Sequence, residues 1–364
     1  AGNTYAGNDS IVITLDNTSP TVTLSDTDDD NLLAASDTVT ITAAFSEVMT
    51  STPTISIAGT SISGQRMTKI SGGASGTGSA TQIGGDIDGE AADDSSGYSV
   101  SLSSDGSRVA VGASNNDGGG DNSGHVRIYQ YNNNSWSQLG ADINGEAYRD
   151  YSGWSVSLSS DGSRVAIGAY GNDAGGSNSG HVRIYEYVNN SWTQLGQDIN
   201  GEGAQDNSGL SVSLSSDGSR VAIGAHLNDG NGTNSGHVRI YQFNNNSWSQ
   251  LGADINGEAA DDRSGYSVSL SSDGSRVAIG AFNNDGNGTN SGHVRIYQYN
   301  NNNSWSQLGA DINGEAADDR SGDSVSLSSD GSRVAIGAPH NDGNGTYSGH
   351  VRIYDYNTST EAWA

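Results

Sequence analysis

The chain has 364 residues, 32% of them hydrophobic with 52 glycines besides, enough non-polar and small residues for a packed core. Its 15 Lys and Arg against 42 Asp and Glu give a formal net charge of -27, which repels nucleic acid and anionic membranes and attracts divalent cations. It has no Cys, which excludes a disulfide framework and thiolate chemistry, and no apolar run approaches the roughly 20 residues of a membrane span.

In chain order, residues 1–18 begin "AGNTYAGNDSIVITLDN" and residues 19–72 begin "SPTVTLSDTDDDNLLAASDTVTITAAFSEVMTSTPTISIAG". Strands are expected near Thr21–Leu24, Val39–Phe45 and Thr54–Ile57. This text resembles the repeated bacterial Ig-like domains of very large secreted adhesins, where the opening phrase closes a unit. The resemblance implies the terminal strand of one Ig-like unit in residues 1–18 and a partial Ig-like domain in 19–72. A chain built so could complete its neighbour by strand addition and polymerise head to tail. Alternatively, residues 1–18 fold back onto 19–72, or a preceding domain is missing. Asp26, Asp28, Asp29 and Asp30 offer clustered oxygens for Ca²⁺. Residues 73–80, rich in Gly and Ser, read as a flexible linker.

From residue 81 the chain repeats. "SGHVRIY" occurs with His125, His181, His237, His293 and His350, spaced 56, 56, 56 and 57 residues apart. Within "SVSLSSDGSRVAIGA" the apolar residues alternate with period two on either side of Asp-Gly, which marks an antiparallel hairpin with a tight turn. "HVRIYQY" and "SWSQLG" supply third and fourth strands, and no segment reads as a helix. A single sheet with two partly apolar faces cannot bury both, so the units must stack. The expected architecture is all-β: a five-bladed β-propeller of four-stranded antiparallel blades over residues 81–364, preceded by an Ig-like β-sandwich segment. A solenoid of stacked sheets is the alternative. Closure is expected because "ATQIGGDIDGE" matches the inter-repeat text "SQLGADINGE", so residues near Gln82–Ile87 would complete the last sheet.

The phrase "SGxSVSLSSDGSRVAIGAxxNDGxGxxSGHVRIY" resembles the FG-GAP-like repeats of integrin-α-type and bacterial surface propellers, and its second half is similar to WD40-type blades. The resemblance implies the fold more than any activity. One departure concerns metal: the FG-GAP calcium loop, DxDxDG, would fall at "SSDGS", where only Asp105 and its counterparts remain.

If the first strand is innermost, both long acidic loops of each repeat share one face. One loop type carries Asp86, Asp88, Glu90, Asp93 and Asp94; the other carries Asp117 and Asp121. Asp117, Asp173, Asp229, Asp285 and Asp342 are candidate calcium ligands, against the alternative of ordinary turn chemistry. On the same face two positions vary. After "GA" stand Ser114, Tyr170, His226, Phe282 and Pro339; after "SG" stand Tyr98, Trp154, Leu210, Tyr266 and Asp323. Tyr98, Trp154, Tyr170, His226, Tyr266 and Phe282 are the candidate ligand-binding residues, since sugars stack on aromatic rings and hydrogen-bond to acids. Drift at exposed loop ends would give the same variation. The repeated His and Arg read as structural groups between blades, the repeated Ser lack a base, and Trp136, Trp192, Trp248 and Trp305 are expected at the blade rim.

Near-identical blades offer no single asymmetric cleft, so no enzymatic activity is expected. The expected role is an extracellular surface or structural protein that assembles with copies of itself and displays a propeller. The alternative is an adhesin or lectin-like module binding cell-surface glycans or proteins.

Overall fold

A computed structural model describes residues 82–300 and 302–364, together with four strands in residues 1–81. The chain divides into two compact units, Ala1–Thr81 and Gln82–Ala364. In the first unit, Ile11–Ile13 pairs antiparallel with Ile55–Ile57, and Val22–Ser25 with Thr42–Phe45. The Asp26 to Asp30 cluster, the linker and the remainder of the Ig-like segment lie outside the described residues.

The second unit is five antiparallel sheets in sequence order, with no helix among the described residues. The second blade runs Ser155–Leu158, Arg164–Ala169, His181–Val188 and Ser191–Gln194, each hydrogen-bonded to the next. Its first turn closes at Asp161-Gly162, with Gly162 at φ +64°, a left-handed conformation that glycine adopts without cost. The Asp161 carboxylate accepts from the Ser159 hydroxyl at 2.7 Å and the Ser163 amide at 2.9 Å, so this short phrase specifies its own turn.

A second strand such as Arg164–Ala169 is buried on both faces because its sheet is sandwiched between neighbours. Between the second and third blades, Val182, Ile184 and Ile199 pack against Leu214, Val221, Ile223 and Trp248. Burying each such aliphatic side chain contributes roughly 1.5–3 kcal/mol. Glycine in "IGA" allows the close approach: a Cβ at Gly168 would run into the Gly209 carbonyl of the next blade and the Ser155 hydroxyl.

The blades are four-stranded, as the repeat requires, and in the first four the connection to the next blade adds a two-residue strand, as where Ile199–Asn200 pairs with Val182 and His181. One expectation requires correction: closure through residues 82–87 is not made. Blades are joined along the axis by hydroxyl bonds from Ser99 to the Gly153 carbonyl, Ser155 to Gly209, Ser211 to Gly265 and Ser267 to Gly322. These are four junctions, and among the described residues none joins the fifth blade to the first. Accordingly Val100 and Leu102 are 64% and 60% exposed, and Val351 and Ile353 are 66% and 63% exposed.

The reason lies in what residues 83–88 hold. They cover the first blade, where Trp136 Nε1 donates to the Ile83 carbonyl at 3.1 Å and Arg127 to the Asp88 carbonyl at 2.7 Å. Leu139 and Asn144 receive the same bonds from Trp192 and Arg183 of the second blade.

Candidate functional site

The two long loops of each repeat interlock on one face, as the strand directions require. Gly124 bridges to Ser152, and the amides of Tyr151 and Ser152 donate to the carbonyls of Asn122 and Ser123. A buried aspartate fastens each blade's pair of loops. Asp150, 2% exposed, accepts from the Ala147 amide at 3.0 Å and the Asn172 side chain at 3.1 Å. Asp94, Asp206, Asp262 and Asp319 do the same with Asn116, Asn228, Asn284 and Asn341. The sequence reading placed Asp94 only among the acids of one loop type; its fixed 22-residue spacing from Asn116, copied in every repeat, was the available signal.

The six candidate ligand residues come together as two clusters. Tyr98 of the first blade lies 4.2 Å from Trp154, centroid to centroid, and Trp154 meets Tyr170 edge-on at 4.6 Å. Tyr151, missed in the sequence, stacks on Tyr170 at 5.2 Å. In the second cluster His226 and Phe282 flank Tyr266 at 5.6 and 4.4 Å. The clusters differ in access: His226 and Phe282 are 7% and 5% exposed, whereas Tyr98 is 50% exposed.

Burial holds these groups neutral. The Tyr170 phenol is pushed up to about 12 by burial, reinforced by Tyr151 and Tyr98, and burial raises Tyr98 and Tyr266 as well. His226 is pushed down to about 4, by burial first and nearby Arg263 second. Uncharged phenols that can donate and accept hydrogen bonds beside exposed aromatic rings suit a polar, uncharged ligand.

The calcium candidates Asp117, Asp173, Asp229, Asp285 and Asp342 are not brought together. Each stands alone in its blade and accepts a backbone amide within its own loop, from Asn122, Asn178, Asn234, Asn290 and Tyr347 respectively, at 2.7 or 2.8 Å. Possible metal-binding donors converge elsewhere, in Glu90/His125/Asp142, Glu146/His181/Asp198, Glu202/His237/Asp254 and Glu258/His293/Asp311, each within 4.8 Å. Burial pushes His181, His237 and His293 down to about 4, leaving the neutral imidazole a metal requires. A mixed nitrogen and oxygen set suits zinc or a similar ion better than calcium. An arginine competes for each glutamate, as Arg183 does for Glu146 at 3.2 Å.

A further depression of about 610 Å³ is lined by Ser104, Ser160, Ser216 and Ser272 with Asp105, Asp161, Asp217 and Asp273 of the first-hairpin turns. Asp105 is lowered to about 2 by hydrogen bonds from Ser103 and Ser107.

Residues 144–185, 200–241 and 256–297 match the FG-GAP repeat, and the repeat is a β-propeller repeat. Comparison with curated proteins returns no match. Among solved structures, the chain is similar to a Pseudomonas aeruginosa periplasmic gluconolactonase, at 16% identity and TM-score 0.49, over 73% of this chain and 69% of that one. It is similar to a candidate 6-phosphogluconolactonase from Bacteroides uniformis at 12% identity and TM-score 0.45, covering 74% and 83%. A β-propeller domain from Myceliophteria thermophila aligns at 9% identity and TM-score 0.43, covering 72% and 65%. The expectation of no enzymatic activity is corrected on this comparison, in which structures named as lactonases stand among the similar ones. Among the described residues no helix is long and apolar enough to cross a membrane.

Proposed function

We propose that the protein is an extracellular surface module whose propeller binds carbohydrate on the face that carries the interlocked loops. The observation that carries this reading is the Tyr98, Trp154 and Tyr170 cluster at a blade junction, half exposed at Tyr98 and next to the buried-acid loops. Sugar rings stack on such aromatics while their hydroxyls take hydrogen bonds from phenols and amides. The FG-GAP match and the strongly acidic composition agree with an extracellular setting, and cell-surface glycans are the partner class this chemistry fits. A divalent cation on this module would find its donors in the Glu-His-Asp triplets rather than in the loop aspartates.

The test is a glycan array followed by calorimetry on the best binder. Trp154→Ala and Tyr98→Ala are each expected to weaken binding about tenfold, the equivalent of roughly 1.4 kcal/mol, with the fold intact by circular dichroism. Phe282→Leu, in the buried cluster, should leave binding within about twofold. A wild-type protein that retains no glycan, or retains one equally without Trp154, rejects the reading.

A further inference from the structure

The two ends of the blade series are unfilled halves of one interface. At each internal junction, the third strand of one blade supplies Val and Ile to its neighbour, as Val182 and Ile184 do at 0% exposure. The fifth blade presents the same pair, Val351 and Ile353, to solvent. On the receiving side, Leu158, Leu214, Leu270 and Leu327 are 7–9% exposed, while Leu102 and its neighbour Val100 in the first blade stand open.

The polar halves match as well. In the first four blades the start of the third strand takes on a two-residue strand from the following connection, as His181 and Val182 pair with Asn200 and Ile199. His350 and Val351 have no such partner among the described residues, and Ile87 and Asp88, which have the equivalent place before the first blade, pair with no strand. Arg108, Arg220 and Arg276 donate to the turn-glycine carbonyl of the next blade at 2.9 or 3.0 Å. Arg333 bonds Asp355 through Nε and Nη2, leaving Nη1 for such a carbonyl.

We propose that the first blade of a second copy of this chain docks on the fifth blade, head to tail. Val100 and Leu102 of the incoming copy cover Val351 and Ile353, its Ile87–Asp88 segment adds as a strand beside His350–Val351, and its Gly106 carbonyl meets Arg333. The argument is continuity: this surface repeats the positions of an interface the chain already forms four times, with Asp88 in place of Asn144 and its counterparts, and strand addition supplies main-chain hydrogen bonds of known register. Because the contact is heterologous, it either extends or closes into a ring. Tyr98 shares a strand with Val100 and Leu102, but sedimentation reads the docking and the glycan array reads Tyr98 and Trp154, so either reading can fail alone.

The full chain should be followed by sedimentation velocity across a hundredfold range of concentration. Wild type is expected to associate as concentration rises. Two double variants, V351D/I353D and V100D/L102D, alter side chains that are already exposed, and each alone should sediment as a monomer with unchanged circular dichroism. Mixed, they should form a one-to-one dimer and nothing larger, because each retains one intact end. Hydrogen exchange on wild type supplies an independent reading: amides of residues 350–353 should gain at least tenfold protection on association. A wild type that stays monomeric throughout overturns the proposal, and so does association that survives unchanged in both double variants.

Discussion

Ile184 and Ile353 hold the same place in the same five-letter phrase, yet one is 0% and the other 63% exposed. The strand and its register against the second strand are alike in both; what differs is the neighbouring blade and the two-residue strand that the connection to it adds. Burial in this repeat is therefore a property of the junction between units, in keeping with a stability built from units and nearest-neighbour interfaces. The interior blades and the outer faces of the first and fifth form a controlled experiment within one chain.

The largest contrast should come from truncating the shared isoleucine. Ile240→Ala, between the third and fourth blades, is expected to cost about 2–5 kcal/mol by urea unfolding. Ile353→Ala, measured at low concentration, should stay within about 0.5 kcal/mol. Equal losses at the two positions would mean that the fifth blade is covered in solution.

A pH series sharpens the same comparison. Burial holds His181, His237 and His293 down to about 4, against an ordinary value of 6.5. Their neighbours include Arg183, Arg239 and Arg295, which lower them further, and Asp198, Asp254 and Asp311, which act the other way. The depressed value means the unfolded chain binds more protons between about pH 4 and 6.5. Stability from these groups is thus fully present above 6.5 and falls as pH drops toward 4. Thermal unfolding should lose several degrees over that window, and His181→Gln should make the slope shallower. An unchanged slope in the variant would assign the acid sensitivity to other groups.

The loop fastenings come next. Asp206→Ala removes the partner of the Asn228 side chain and the Gly203 amide, and leaving buried donors unpaired should cost about 1–3 kcal/mol. Loosened loops would also raise amide exchange at Gly203 and residues 228–236 ahead of the strands. A loss confined to global stability would show that the aspartate braces the whole blade instead.

What was legible in the sequence followed from repetition. Period-two patterning around Asp105-Gly106 and His125 to Tyr131 gave the strands, the Asp-Gly gave the turn, and the spacing gave five units. Strand direction put Tyr98, Trp154 and Tyr170 on one face, but not their contact across a blade junction. Closure was not legible, because "GGDIDGE" and its counterparts touch two blades, and the text alone does not tell which of the two they hold. The Leu139 to Asn144 connection contacts both: its backbone pairs with the blade before it, while its carbonyls receive Trp192 and Arg183 of the blade after it. At residues 83–88 only the second set is formed. The converging metal donors were not legible for a related reason. Acid density drew attention to Asp117 and its counterparts, each already engaged by one backbone amide, whereas the donors that converge come from three separated places such as Glu146, His181 and Asp198.

The finest contrast is at the rim. Trp248 is 3% exposed and donates to the Leu195 carbonyl at 2.7 Å. Its own backbone is gripped by Gln197, which donates to the Trp248 carbonyl at 2.7 Å and accepts from its amide at 3.1 Å. Gln197, which also accepts from the Ser247 hydroxyl at 3.2 Å, stands where the matching connections carry Ala141, Ala253 and Ala310, so this junction has three hydrogen bonds the others lack. Trp136 makes the corresponding indole bond at 3.1 Å in an exposed setting, where water competes for the donor. Phenylalanine in place of Trp248 should therefore cost about 1 kcal/mol, and in place of Trp136 clearly less. Gln197→Ala should make Trp248→Phe cheaper if the clamp and the indole act together, a coupling that a double-mutant cycle reads directly. Strict additivity would mean that the clamp holds only the backbone, and that the indole bond alone distinguishes a filled junction from an open one at the rim.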